Sequence, residues 1–343
     1  MSINACLCCI NTTLNNKKTN RITMNRSCIQ KTAIEKGTDY CLQLAKENIS
    51  DLYHLLLWNE YHQIYNFRVS SDIFPHRTNP KVQYYSIDEL DPEFEKCRKL
   101  NEILNHRLTM HPDQFVQVGT PKIEVFEKSI VELRNHNDFL EKMNCDKNSV
   151  LIIHGGGVYE NKSIGLEKSK QITIERWISQ FYKIDSNIRD RIVLENCEKC
   201  YSVDDCLKIS KITGIPVVYD SHHYRCYNLY NEEVKQRMPS QFLPEILQTW
   251  NHRGITPLFH ISNQKEDSRV GSHSEYITNF NYEFKMLVEN GINFQLDIEA
   301  KAKEFAVLDL YKKYDFFERR ESKFTKQQII EMSKKITNED FLI

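Results

Sequence analysis

Apolar and polar positions alternate along this chain with two different periods. Short runs rich in β-branched and aromatic residues occupy 5–10, 66–70, 107–111, 150–154, 192–196, 216–220, 257–262 and 292–299. Runs of this length and composition suit a pleated, enclosed strand. Between them lie longer stretches of mixed apolar and polar residues, among them 40–60, 121–143, 163–182 and 275–290. In the third of these, Ile164, Ile172, Trp177 and Phe181 fall at helix-like spacing. Strand–helix alternation predicts a parallel sheet covered by helices. Eight such units predict an α/β fold closed as a (β/α)8 TIM barrel, an architecture of typically about 250 residues before insertions. A doubly wound open sheet alternates similarly and is the competing architecture. No Gly/Ser-rich linker divides the chain, so one barrel domain is expected over 1–318, with a helical extension over 319–343.

The ends of the predicted strands carry the chemistry. Strand three ends at His111 and strand four at His154; strand five carries Glu195, strand six ends at Asp220, strand seven carries His260 and strand eight carries Glu299. Barrel enzymes build their active sites from the C-terminal ends of several strands, so these six side chains should converge. His223, three residues beyond Asp220, and His273, after strand seven, can reach the same cavity. Five imidazoles and three carboxylates exceed the needs of one tetrahedral ion, which implies two or three divalent cations of the Zn, Mn or Fe type. A cluster of this kind suits phosphodiester hydrolysis, but it also suits hydrogen transfer in a sugar.

Composition narrows the setting. With 17 Phe, 17 Tyr and 3 Trp, the chain has ample apolar surface to bury, which excludes disorder as its main state. No run of about 18 uncharged apolar residues exists, so no membrane span is expected. The 11 cysteines, with no export signal, fit a soluble protein of a reducing, intracellular compartment. Cytoplasm, nucleus and viral particle are not distinguished. The 46 basic and 47 acidic residues leave a net charge of −1, so a polyanion must be held by bound cations or a local basic strip. Arg225, Lys301, Lys303 and Lys122 lie near the predicted open face and are candidates for that strip. Cys197 and Cys200, with Cys206 nearby, have zinc-knuckle spacing but lack a second pair. Gly155–Gly157 reads either as a phosphate cradle or as a turn beside His154.

Several segments, in order, resemble the UV-damage endonuclease family. They are LTMHPDQFV at 108–116, IHGGGVY at 153–159, LEN at 194–196, VVYDSHH at 217–223, HIS at 260–262 and DIEAK at 297–301. NFRVSS at 66–71 and TNR at 19–21 also fit. The resemblance implies a barrel related to endonuclease IV and xylose isomerase, and a manganese-dependent site, with zinc, cobalt or magnesium as alternatives. It implies nicking of double-stranded DNA on the 5′ side of pyrimidine dimers and 6-4 photoproducts, and of some other lesions. A monomer is expected. Motif by motif, the implied metal ligands are His111, His154, Glu195, Asp220, His223, His260, His273 and Glu299, with Glu195, Asp220 and Glu299 catalytic. Gln114 and Phe115 match the family's lesion-probing pair, and Asn11 another residue near the lesion. Three positions depart from the pattern. Asn79 stands where the family carries a His, with His76 three residues earlier as a substitute; Leu258 replaces a modified lysine; and Leu7 replaces an aromatic.

Three rival readings remain from the residues: an abasic-site endonuclease, a sugar isomerase on the same barrel, and a damaged-DNA binder without catalysis.

Overall fold

The computed structural model describes residues 3–231 and 233–342. Eight parallel strands close into a barrel in sequence order: β1 (Ile3–Cys8), β2 (Asn66–Val69), β3 (Arg107–Met110), β4 (Leu151–His154), β5 (Ile192–Glu195), β6 (Val217–Asp220), β7 (Leu258–Ile261) and β8 (Phe294–Ile298). The barrel, rather than the open sheet, is the architecture. The seam is the β1–β8 pairing, which runs from Ile3 opposite Phe294 to Leu7 opposite Ile298.

Seven strands lie within their predicted runs, and the first is displaced. It ends at Cys8 because Cys9 adopts φ +66°, a left-handed turn that a strand cannot continue. Helices Thr38–Tyr61, Ile123–Lys142 and Leu166–Phe181 match their periodic stretches closely. The stretch expected at 275–290 is helical only over Tyr282–Glu289. Its first part is instead a loop tied to Asn263, whose Oδ1 accepts the backbone N–H groups of Thr278 and Asn279.

Outward-facing strand residues such as Phe67, Leu108, Ile153, Leu194, Phe259 and Leu296 are fully buried under the helices. The barrel interior is different. Aliphatic layers usually fill it, yet here Cys6, Cys8, Arg68, Thr109, Gln295 and Asp297 lie beneath the C-terminal mouth. The 319–342 segment runs along the outside of the first units. It forms helix Lys326–Ser333 and a short 3-10 turn, Asn338–Phe341. The Trp58 indole N–H donates to the Asp340 carbonyl at 2.9 Å, and Lys335 pairs with buried Asp51 at 2.6 Å. No helix of the described residues is long and apolar enough to cross a membrane.

Candidate metal centre

The end of each strand from β3 to β8 delivers one polar side chain to the same mouth. His154, Glu195 and Asp220 are the last residues of β4, β5 and β6; His111 and Glu299 directly follow β3 and β8; His260 lies within β7. Neighbouring strands hold His154 beside Glu195, and Asp220 beside His260. Helix Ser221–Tyr230 starts immediately after β6, which brings His223 back over the mouth.

Glu195 is the hub. Its Oε2 accepts from His111 Nε2 at 2.8 Å and lies 3.7 Å from His154 Nδ1. Its Oε1 lies 3.0 Å from His260 Nδ1 and 3.1 Å from His223 Nδ1. Each carboxylate oxygen therefore faces two imidazoles, the arrangement of a bridging ligand. Three donor triads result among the described residues: His111–Glu195–His260, His154–Glu195–His223 and Asp220–His260–Glu299. The first and second share Glu195, and the first and third share His260.

Orphaned atoms show that this cluster fits cations. Asp220 Oδ1 accepts the His223 backbone N–H at 2.6 Å and caps the following helix, but buried Oδ2 has no hydrogen-bond partner. His154 Nδ1, 3.7 Å from Glu195 Oε2, is also buried without a hydrogen bond, as is His260 Nε2 on the far side of its ring, 3.6 Å from Asp297. Buried polar atoms are nearly always satisfied, and Asp220 Oδ2 and His154 Nδ1, converging with the carboxylates, are what divalent ions would complete.

Electrostatics agree. Burial raises the Glu195 carboxyl, but the surrounding imidazoles of His154, His260, His111 and His223 outweigh it, holding the group well below the usual range. Burial opposes protonation of His223, yet Asp220 and Glu195 lift it to about 10. Glu195 and Glu299 likewise raise His260 well above the usual value against its burial. His154 is pushed down to about 4, chiefly by burial, and stays a neutral donor. Three clustered carboxylates thus demand positive charge, which protons on His223 and His260 supply when metal does not.

The remaining predicted residues are distributed around this centre. His273 lies on its edge, with Nδ1 3.8 Å from Glu299 Oε2 and 2.8 Å from the Glu299 carbonyl. Gln114 and Phe115 are exposed in the loop after β3, Phe115 at 74 %. Asn11 is buried beyond β1, where its Oδ1 caps the turn Thr12–Asn15 and its Nδ2 is unpaired. Lys301 is exposed just past Glu299, its backbone N–H bonded to the Ser274 carbonyl. His76 and Asn79 are not drawn into the triads. His76 Nε2 lies 2.6 Å from the Cys28 carbonyl, its Nδ1 lies 3.3 Å from Asn79 Nδ2, and Asn79 Oδ1 accepts from Lys81 N–H. Leu258 is fully buried in β7, and Leu7 in β1.

Gly155–Gly157 forms a packed turn. A Cβ on Gly155 would fall 2.4 Å from the Tyr201 ring, and the Gly157 N–H already donates to Gln117 Oε1. Cys197 and Cys200 gain no third metal donor among the described residues. A further triad, Cys6–Cys8–Asp297, lies deeper in the barrel, but the Arg68 guanidinium 3.5 Å from Asp297 already supplies its positive charge.

Arg68 is a candidate functional residue that sequence reasoning missed. Its Nη1 lies 2.5 Å from Glu299 Oε1, where it orients that ligand from below. An arginine inside a short interior strand was the available signal.

The profile of the UvdE UV-endonuclease family matches residues 4–330. The chain belongs to this family. Among UvdE relatives, a UV-damage endonuclease candidate from Acanthamoeba polyphaga mimivirus is 37% identical over 317 residues, covering 89% of each chain. The UV-damage endonuclease of Schizosaccharomyces pombe is 32% identical over 317 residues, covering 90% of this chain and 50% of the yeast protein. The crystal structure of SacUVDE superposes with a TM-score of 0.74 at 26% identity, covering 91% of this chain and 99% of that one.

Proposed function

We propose that this UvdE-family chain is a metal-dependent endonuclease that nicks duplex DNA immediately 5′ to UV photoproducts and so initiates excision repair. The observation that carries this reading is the set of three donor triads joined through Glu195 and His260, with the exposed ring of Phe115 four residues beyond the donor His111. Manganese is the proposed ion, held by His111, His154, Glu195, Asp220, His223, His260 and Glu299, with His273 at the margin. Bound divalent cations supply Lewis acidity, acidified water and charge neutralisation at a phosphodiester.

The protein's own groups do the rest. Glu195 keeps the two sides of the centre at fixed separation, and Asp220 holds His223 through its helix cap. Phe115 offers a ring on which an unstacked base can rest, and Gln114 an amide for an exposed base edge. A dimer that already distorts the duplex costs less to extrude than a normal pair, which supplies selectivity without sequence readout. Lys301 and Arg225 would contact backbone phosphates, which position DNA without reading it. The proposed acting unit is a monomer, and the 319–342 segment serves as an external brace.

The test is incision of a duplex oligonucleotide carrying one cyclobutane pyrimidine dimer. A nick immediately 5′ to the dimer with manganese, lost with chelator, is expected. Cleavage only at an abasic site would transfer the chain to that rival activity, and binding without any nick would leave only a damage binder.

A further inference from the structure

Cys197 and Cys200 flank a tight bend two residues beyond the hub carboxylate Glu195. The Cys197 sulfur accepts backbone N–H groups from Cys200 at 3.2 Å and Tyr201 at 3.1 Å, which folds the two cysteines toward each other. Cys197 is buried and Cys200 half-buried, so one sulfur of the pair is reachable from solvent. The bend has a fixed floor, because the Tyr201 ring is fully buried against the backbone of Gly155. Cys206, the third cysteine of the motif, is buried in helix Val203–Thr213 and joins no donor group with the pair.

The bend is wired to the metal centre through Asn196. The Asn196 side chain clamps Asp220 from both directions, donating to its carbonyl at 3.0 Å and accepting its N–H at 2.9 Å. The Asn196 carbonyl, bonded directly to the Cys197 nitrogen, lies 3.1 Å from His223 Nδ1. A change in the Cys197 backbone therefore reaches two candidate ligands through one residue.

We propose that Cys197 and Cys200 form a reversible disulfide whose closure loosens the Asp220–His223 pair, making the bend a thiol–disulfide switch on the centre. The oxidant is a low-molecular-weight disulfide. The Cys200 thiolate attacks one sulfur of that disulfide, forming a mixed disulfide and expelling one thiolate. The Cys197 sulfur then attacks the Cys200 sulfur and expels the second. Two protons leave the protein thiols and end on the two released small thiols, and the protein loses two electrons to the oxidant. The i, i+3 spacing closes only a small ring, so the bond requires a local rotation at Cys197 and no movement of the barrel. That rotation includes the N–Cα bond of Cys197, so it tilts the 196–197 peptide and carries the Asn196 carbonyl away from His223 Nδ1. Cys200 is also pulled down to about 6, chiefly by the neighbouring Cys197 side chain, which supports it as the attacking thiol.

The test treats the full chain with glutathione disulfide, followed by alkylation, peptide mass mapping and amide hydrogen exchange. The peptide containing 197–200 should lose two hydrogens in mass, and the amides of 217–224 should exchange faster, both reversed by dithiothreitol. Cys200→Ser keeps the sulfur that accepts the two N–H groups and should abolish both changes. A stable glutathione adduct on Cys200, linkage of either thiol to another cysteine, or closure with unchanged exchange over 217–224 would each overturn the proposal. None of these readouts depends on incision, so the switch and the nuclease assignment stand or fall separately.

Discussion

Arg68 and Glu299 meet at 2.5 Å beneath the mouth of the barrel, although 231 residues separate them in sequence. The same guanidinium group lies 3.5 Å from Asp297, so one cation on β2 faces two carboxylates of the β8 end. Burial works against both partners, but Arg68, His260 and His273 together hold Glu299 well below its usual range. Glu299 therefore stays ionised and aimed at His260 rather than swinging toward solvent.

Replacing Arg68 by Met should weaken manganese binding by roughly 10–100-fold, the usual effect of removing a residue that orients a metal ligand. Leaving two buried carboxylates unmatched should also cost about 3–5 kcal/mol of stability. Metal titration and urea denaturation read the two effects independently. Wild-type affinity in the Met variant would show that Glu299 needs no support from below.

Glu195→Gln keeps the size of the hub but removes its charge. Incision should fall at least about 10²–10³-fold, as when a group that stabilises developing charge is removed. Far-UV circular dichroism should be unchanged, because the substitution leaves the backbone pairing of β5 in place and Glu195 closes no helix. A folded, manganese-loaded variant that still nicks dimer-containing DNA would sink the bridging role.

Phe115 is 74 % exposed, so Phe115→Ala should change stability by less than about 0.5 kcal/mol. Its effect belongs to the substrate. A base stacked on an aromatic ring contributes about 1–3 kcal/mol, and the variant should lose binding to dimer-containing duplex by a matching factor. Binding to undamaged DNA should hardly move. Equal losses on both duplexes, measured by fluorescence anisotropy, would make the ring a general contact rather than a probe of damage.

The acid–base properties of the centre predict how metal-free protein responds to pH. His223 rises from 6.5 to about 10 on folding, so its contribution to stability is complete below about 6.5 and disappears as pH climbs toward 10. His154 behaves oppositely. Burial lowers it to about 4, so stability is lost as pH falls from about 6.5 toward 4. Glu195 and Glu299, both held down, add a further loss below about 4.5. With chelator present, the melting temperature should peak near pH 6.5 and decline on the alkaline side. Manganese should remove that alkaline decline, since the ion replaces the protons on His223 and His260. A flat profile between pH 6.5 and 9 with chelator would contradict this account.

The parts of the fold that were legible in sequence are those governed by local pattern. A strand such as Leu151–His154 declares itself through its apolar run, and its position in the repeat places His154 at the mouth. The displaced first strand was hidden because Cys9 turns left-handed without a glycine to announce it. The loop preceding Tyr282 reads as helix in isolation, because the hydrogen bonds that unwind it come from Asn263, 15 and 16 residues earlier at the start of the same long loop and beyond the reach of a helical period. Candidate ligands at strand ends could be named, but their pairings could not. The two-sided contacts of Glu195 and the support from Arg68 arise from ring closure, which leaves no local trace. The departure at Asn79 was readable as a change of residue; its pairing with His76, away from the triads, was not.

Closure of the barrel also has a temporal side. The β1–β8 seam can form only once synthesis has delivered β8, long after β1. Until then a growing chain has His111, His154, Glu195, Asp220 and His260 but neither Glu299 nor its contact with Arg68. An unfinished chain on the ribosome thus carries only part of the candidate centre, which is assembled when β8 closes against β1.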